Sequence, residues 1–70
     1  MIYTIDLMGA GMNTVIRSTV LQGPQVQIIA RAKTIFRMRT EAAVRAVRVL
    51  ADDGHVVFRW TGDEADGALL

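Results

Sequence analysis

AVRVLADDGHVVFRWT, residues 46–61, is the stretch of the sequence that decides the fold. Asp53-Gly54 at its centre is typical of a two-residue type I′ turn, because Asp and Gly best tolerate the positive φ that both positions need. Such a turn fixes every cross-strand pair outward from it. Because side chains alternate along a strand, one face of the resulting hairpin is wholly apolar and contains Val47, Val49, Ala51, Val56, Phe58 and Trp60.

The other face of this predicted hairpin carries two opposed arginines. Arg48 lies opposite Arg59, with Leu50 and Val57 beside them. Like charges in a direct cross-strand pair disfavour each other by up to about 1 kcal/mol. We therefore expect either a neighbouring acid or a binding partner to offset the repulsion.

A helix over residues 41–51 is the competing interpretation of this region. Its apolar stripe would contain Ala43, Ala46, Val47 and Leu50. The hairpin is favoured because the helix leaves Val44 and Val49 off the stripe and deprives residues 56–60 of a partner strand. If the helix formed, the element order would be β-β-α-α-β.

The N-terminal third of the chain predicts a second hairpin. Residues 2–8, IYTIDLM, alternate as a strand, with Tyr3, Ile5 and Leu7 the expected inward set. The glycine-rich turn at 9–13 lacks the spacing of a nucleotide-binding loop. Residues 14–21, TVIRSTVL, are rich in β-branched side chains and predict the returning strand.

The sequence pattern alone does not decide which side chains of this second strand point toward the core. The inward set is either Ile16, Ser18 and Val20 or the alternate residues Val15, Thr19 and Leu21. We expect the first set, because it leaves Arg17 in water.

Gly23-Pro24 predicts the start of a helix, since Pro is favoured at the first helical position. The apolar residues that follow have the spacing of one helical face: Ile28, Ile29, Ala32, Ile35 and Phe36. We place the end of the helix near Met38, because Arg39 would fall on the apolar stripe. Arg37 and Arg39 suit the negative pole of the helix dipole there.

These elements predict an α+β fold, a β-β-α-β-β two-layer sandwich with one helix packed on a four-stranded antiparallel sheet. A right-handed crossover favours the strand order 2-1-3-4, which would bring Asp6 next to Arg48. Residues 1–61 would form a single small domain and residues 62–70 an acidic flexible tail. The far face of the sheet would stay open.

Composition excludes several classes of protein. The 70 residues contain no cysteine, which rules out disulfides and thiolate metal sites. No apolar run reaches the roughly 18–20 residues that span a bilayer, and the N-terminus does not resemble a signal peptide, so a cytoplasmic protein without membrane contact is expected. Ser18 has no apparent base and His55 is the only histidine. We expect no catalytic residue, no metal and no cofactor.

The net charge of +1 conceals a strong segregation. Residues 9–51 carry seven cations and one acid, whereas residues 52–70 carry one arginine and five acids. Two basic candidate partner-binding surfaces follow. The sheet-face surface contains Arg17, Arg48, Leu50, Val57 and Arg59, and the helix-face surface contains Arg31, Lys33, Arg37 and Arg39.

The leading hypothesis is a non-catalytic protein that binds a macromolecular partner, most simply another protein. The element order resembles that of small β-β-α-β-β proteins encoded by phages and mobile elements, some of which inhibit host defence complexes; this resemblance implies an inhibitor-type role and rests on no shared motif. One alternative is a nucleic-acid-binding protein that uses the arginines of the helix and the open sheet face. The other is a homodimer that pairs through Leu50 and Val57 or through an edge strand.

Overall fold

The computed structural model describes residues 1–10 and 14–61, so the tail at 62–70 and most of the turn at 9–13 lie outside the described residues. The strands form one antiparallel sheet in the order β2-β1-β3-β4. This confirms the predicted α+β arrangement and strand order, and residues 46–50 form a strand instead of a second helix. The elements are β1 (Ile2–Met8), β2 (Val15–Gln22), α1 (Gln25–Arg37), β3 (Ala46–Leu50) and β4 (Val56–Trp60).

The core lies between α1 and the two central strands. The predicted inward residues of β1, Val47 and Val49 of β3 and three of the five predicted helix residues are buried there, and Trp60 joins them from β4. The other predicted residues, Ile29, Ile35 and Ala51, are only partly buried. Val44 is also fully buried, although it lies in the irregular connection that precedes β3 and sequence reasoning placed it in no element. The buried members of the cluster are Tyr3, Ile5, Leu7, Ile28, Ala32, Phe36, Val44, Val47, Val49 and Trp60.

The ends of α1 match the local chemistry. The helix begins one residue later than predicted, because Pro24 lies just before it in an extended conformation. The Pro24 carbonyl accepts hydrogen bonds from the N–H groups of Gln27 and Ile28. At the other end an Arg39 Nη1–H donates to the Phe36 carbonyl at 2.8 Å. A cation thus satisfies a C-terminal carbonyl, as expected from the helix dipole. No helix in the described residues is long and apolar enough to cross a membrane.

The inward set expected for β2 is wrong for Ser18 and Val20. Tyr3 pairs with Leu21 and Ile5 pairs with Thr19, and paired residues project to the same face of a sheet. Ser18 and Val20 therefore project to the open face. Because an irregularity interrupts the pairing beside Leu7, Ile16 is the extra residue of β2 and packs against the edge of the core.

The β3–β4 turn also differs from the prediction. Ala51 accepts a hydrogen bond from Gly54 N–H at 3.0 Å and donates one to the His55 carbonyl at 2.8 Å, so three residues form the loop. Gly54 alone has positive φ within the described chain from Ala51 to His55, which excludes type I′ and fits a turn closed by a left-handed glycine.

A bulge in β4 restores the predicted register. The three-residue loop shifts the pairing by one residue, so Leu50 lies opposite Val56. Val57 is then the extra residue of a bulge, beyond which Val49 pairs with Phe58 as predicted. Without this compensation a one-residue slip would turn Phe58 away from the core.

Candidate functional site

The open face of the sheet has a polar row that crosses all four strands. Asp6 pairs with Ser18 on one side and with Arg48 on the other, and Arg48 in turn pairs with Arg59. We call this set the polar row. It consists of Ser18, Asp6, Arg48 and Arg59, in the spatial order of the strands.

Asp6 is the anchor of the polar row. Its carboxylate accepts a 2.7 Å hydrogen bond from the Ser18 hydroxyl and a 2.9 Å bond from an Arg48 Nη2–H. The Asp6 side chain is only 5% exposed, whereas that of Arg48 is 25% exposed. The acid expected to neutralise Arg48 is therefore in place. The Arg48 Nε is buried and has no hydrogen-bond partner in the described residues.

Arg59 is the unneutralised end of the polar row. Asp6 balances the charge of Arg48, and Arg59 is exposed on the edge strand with no ion pair to a described residue. Among the described residues of the polar row, Arg59 is therefore the cation without a counter-charge.

An aliphatic row runs beside the polar row. Thr4 pairs with Val20 and Leu50, and Leu50 pairs with Val56, so these four residues also cross the whole sheet. Val20 is 65% exposed and Val56 is 45% exposed. Ile2, one pair further along β1, adds a third exposed aliphatic side chain to the same face. We call Thr4, Val20, Leu50 and Val56 the aliphatic row.

The structure brings together three of the five residues predicted for the sheet-face surface: Arg48, Leu50 and Arg59. Arg17 pairs with Leu7, so it projects to the helix side, where it forms a 3.5 Å ion pair with Glu41. Val57 is the bulge residue and packs against the core. Both were wrongly assigned to the open face.

Sequence reasoning missed three members of this face: Ser18, Val20 and Val56. Val56 was assigned inward by counting from a two-residue loop. Ser18 and Val20 were assigned inward because that choice left Arg17 in water. Arg17 in fact lies on the helix side, where its side chain is still 50% exposed. A signal for Ser18 existed, since its hydroxyl is a natural donor to the acid of the neighbouring strand.

Most of the predicted helix-face surface lies against aromatic rings. Lys33 Nζ is 5.7 Å from the Phe58 ring centre and 5.6 Å from that of Trp60. Arg37 also lies over Trp60, at 5.2 Å. These cations cover the outer edge of the core beside β4, where such contacts are worth about 0.5–1 kcal/mol each.

The remaining two cations of the helix-face surface behave differently from each other. Arg39 lies 4.1 Å from the centre of the Phe36 ring, in addition to its bond to the carbonyl of that residue. Arg31 is exposed on the outer side of α1, where it lines a shallow hollow with Gln27 and Thr34. Arg31, Arg37 and Arg39 are thus all exposed, as predicted for the set, but Arg37 and Arg39 also contact aromatic rings.

The described residues were compared with the requirements of a metal site. Within residues 1–10 and 14–61, no three His, Cys, Asp or Glu side chains form a cluster that could hold a metal ion. Asp53, next to His55, accepts a 2.9 Å hydrogen bond from the backbone N–H of that residue and so shapes the turn.

Comparisons with known proteins identify no relative. No protein family, no curated protein and no solved structure matches this chain.

Proposed function

We propose that the protein is a non-catalytic binding module that docks the open face of its sheet onto another protein. The observation that carries this proposal is the juxtaposition of the aliphatic row with the polar row. Exposed aliphatic side chains supply buried area in an interface, while an arginine beside them supplies orientation. Val20 and Val56 are 65% and 45% exposed, so this part of the face is open to a partner.

The chemistry of the face specifies the kind of partner. Val20, Leu50 and Val56 call for apolar side chains, and Arg59 calls for a carboxylate beside them. Arg is the side chain best suited to a planar, two-point bond with a carboxylate. The most specific version of this proposal is that the protein inhibits a larger protein complex. It requires that the complex present an apolar surface with a carboxylate beside it.

Nucleic-acid binding is less well supported. The aromatic rings of Phe36, Phe58 and Trp60 lie under cations on the helix side, so they do not offer a surface on which bases stack. On the open face, Asp6 opposes phosphate contact at Arg48.

The test compares two doubly substituted proteins in affinity capture from cells that contain the native partner. The first carries Val56→Lys and Arg59→Glu on the open face. The matched control carries Val26→Lys and Arg31→Glu on the outer side of α1, where Val26 is 74% exposed. Both proteins replace one exposed valine and one exposed arginine, so their net charges are identical.

The expected result is a protein that the wild type and the helix variant retain and the open-face variant loses. Arg48 is left intact because its substitution would strand Asp6 and confound binding with stability. Equal retention by both variants would exclude the open face. Retention of nucleic acid, with an affinity that falls linearly on a logarithmic salt scale, would favour the alternative class.

A further inference from the structure

The outer edge of β2 has a defined set of unpaired backbone groups. Gly23 N–H donates to the carbonyl of Met1 at 3.1 Å, and continuing the β1–β2 register places these two residues directly opposite each other. Hydrogen-bonded and non-hydrogen-bonded pairs alternate along an antiparallel ladder. The backbones of Arg17, Thr19 and Leu21 therefore face β1, and those of Ser18, Val20 and Gln22 point away from the sheet.

This edge lacks most of the features that prevent an edge strand from pairing with a strand of another chain. Within residues 1–10 and 14–61, no strand lies beyond β2, which has eight residues, no proline and only Arg17 as a charged residue. The irregularity at Ile16 leaves residues 17–22 in regular pairing. Long, regular, uncharged edges are templates for pairing with another strand.

The opposite edge is different. β4 is interrupted by the bulge at Val57, and the side chains of Lys33 and Arg37 lie over its rings. Bulges and nearby charges are the devices that block pairing. Of the two edges, only β2 is thus suited to pairing.

We infer that the protein forms a homodimer by antiparallel pairing of β2 with β2 of a second copy, around a two-fold axis at Val20. In this register Val20 faces Val20 of the second copy, and Ser18 and Gln22 face each other. All three outward residues then exchange backbone bonds, which gives six hydrogen bonds and one continuous eight-stranded sheet.

The symmetry of the β2 edge and the position of its charge favour a second copy of this chain as the partner. An axis at Val20 places the two Arg17 side chains six residues apart along the strands, roughly 20 Å. An axis at Ser18 would bring them within roughly 7 Å and use the irregular Ile16. The edge therefore matches itself best in the register in which its only charge is well separated from its copy.

The side chains on both faces are compatible with this pairing. On the open face the exposed Val20 gains its own copy as an apolar neighbour, and Ser18 gains an amide partner in Gln22. On the helix side Thr19 meets Leu21, both of which are only partly covered in the single chain. Covering such surface also suits a 70-residue domain, which buries only about 60% of its unfolded surface alone.

Sedimentation equilibrium over three decades of concentration, up to the millimolar range, tests the inference. We expect a monomer–dimer equilibrium in the wild type. Val20→Lys sets two lysines directly opposite each other at the axis, so the dissociation constant should rise about tenfold or more. Val56→Lys on the other edge is the matched control and should leave the constant unchanged. A wild type that stays monomeric at every concentration overturns the inference.

A second measurement locates the interface independently of stability. The chain has no cysteine, so Val20→Cys and Val56→Cys each accept a single spin label. Labels at position 20 should show strong dipolar broadening, whereas labels at position 56 should lie seven strand spacings apart, roughly 34 Å. Close labels at position 56 would place the contact on β4 and refute the proposed register. This inference does not depend on the open face having a partner, and neither readout changes if the capture experiment fails.

Discussion

The two faces of the sheet are built from the same strands but solve different problems. On the helix side Ile5, Val47 and Val49 are fully buried under α1. On the open side, one residue along each strand, Asp6 and Arg48 form an ion pair at a place that no described element covers. The apolar face specifies the fold, whereas the other face contains a charge pair where aliphatic residues would also fit.

On energetic grounds, we infer that the ion pair is not there chiefly for stability. Replacing a buried pair by well-packed apolar side chains is often neutral or stabilising, because two charges must be removed from water to form it. With aliphatic residues in place of Asp6 and Arg48, the open face would become an unbroken apolar sheet surface. We propose that the pair prevents indiscriminate stacking on this face and leaves selective contact to Arg59 and the aliphatic row.

The largest effect is expected from a lysine placed on each face in turn, at neighbouring positions. Val49→Lys buries an unpaired charge in the core and should cost more than about 4 kcal/mol, comparable with the whole stability of roughly 4–10 kcal/mol for a chain of this length. Circular dichroism should then show no cooperative unfolding. Leu50→Lys can lay its stem on the open face and should cost less than about 1 kcal/mol. Equal loss from both would mean that the open face is also a core.

The hairpin of β3 and β4 shows how much the sequence could predict. Valines and aromatic residues alternate there with arginines, so only one register buries the apolar set, and the pairs Val47–Trp60 and Val49–Phe58 are confirmed. The same reasoning, with the crossover rule, predicted Asp6 beside Arg48, which is also confirmed. Alternation and handedness are global constraints, and they determined the centre of the candidate site.

The alternation of apolar and polar residues did not predict the length of the β3–β4 loop or the inward face of β2. The sequence Asp52-Asp53-Gly54 permits a two-residue or a three-residue loop, and the bulge at Val57 makes the three-residue loop compatible with the core. In β2 both faces are β-branched, so hydrophobicity did not distinguish them. The choice then depended on keeping Arg17 in water, which placed Ser18 and Val20 on the wrong side of the sheet. On this edge strand Arg17 is half exposed even on the helix side.

The next largest effect concerns the ion pair itself. Asp6→Asn keeps the shape but leaves Arg48 without a counter-charge, which should cost roughly 2–3 kcal/mol in chemical denaturation, since Arg48 is partly exposed. The double substitution Asp6→Val with Arg48→Val should recover stability to within about 1 kcal/mol of the wild type.

Light scattering on the same double variant tests the role proposed for the pair. An open face without charges at its centre exposes a larger apolar patch, so the variant should form higher aggregates that the wild type does not form. The matched control is Ser18→Ala, which removes the hydroxyl bond to Asp6 but keeps both charges. A double variant that is stable and no more associated than this control would contradict the proposed role.

The smallest effects compare the removal of one cation from each side of β4. Lys33→Ala removes the ammonium group from over Phe58 and Trp60, so the free energy of unfolding should fall by about 0.5–1 kcal/mol. Arg59→Ala removes a like charge opposite Arg48, so stability should stay within about 0.5 kcal/mol of the wild type or rise slightly. Denaturation midpoints of the two variants, measured side by side, decide the matter. A larger loss of stability from Arg59→Ala than from Lys33→Ala would mean that Arg59 stabilises the fold. A neutral or stabilising result would mean that Arg59 contributes nothing to the stability of the sheet, which leaves partner binding as its remaining role.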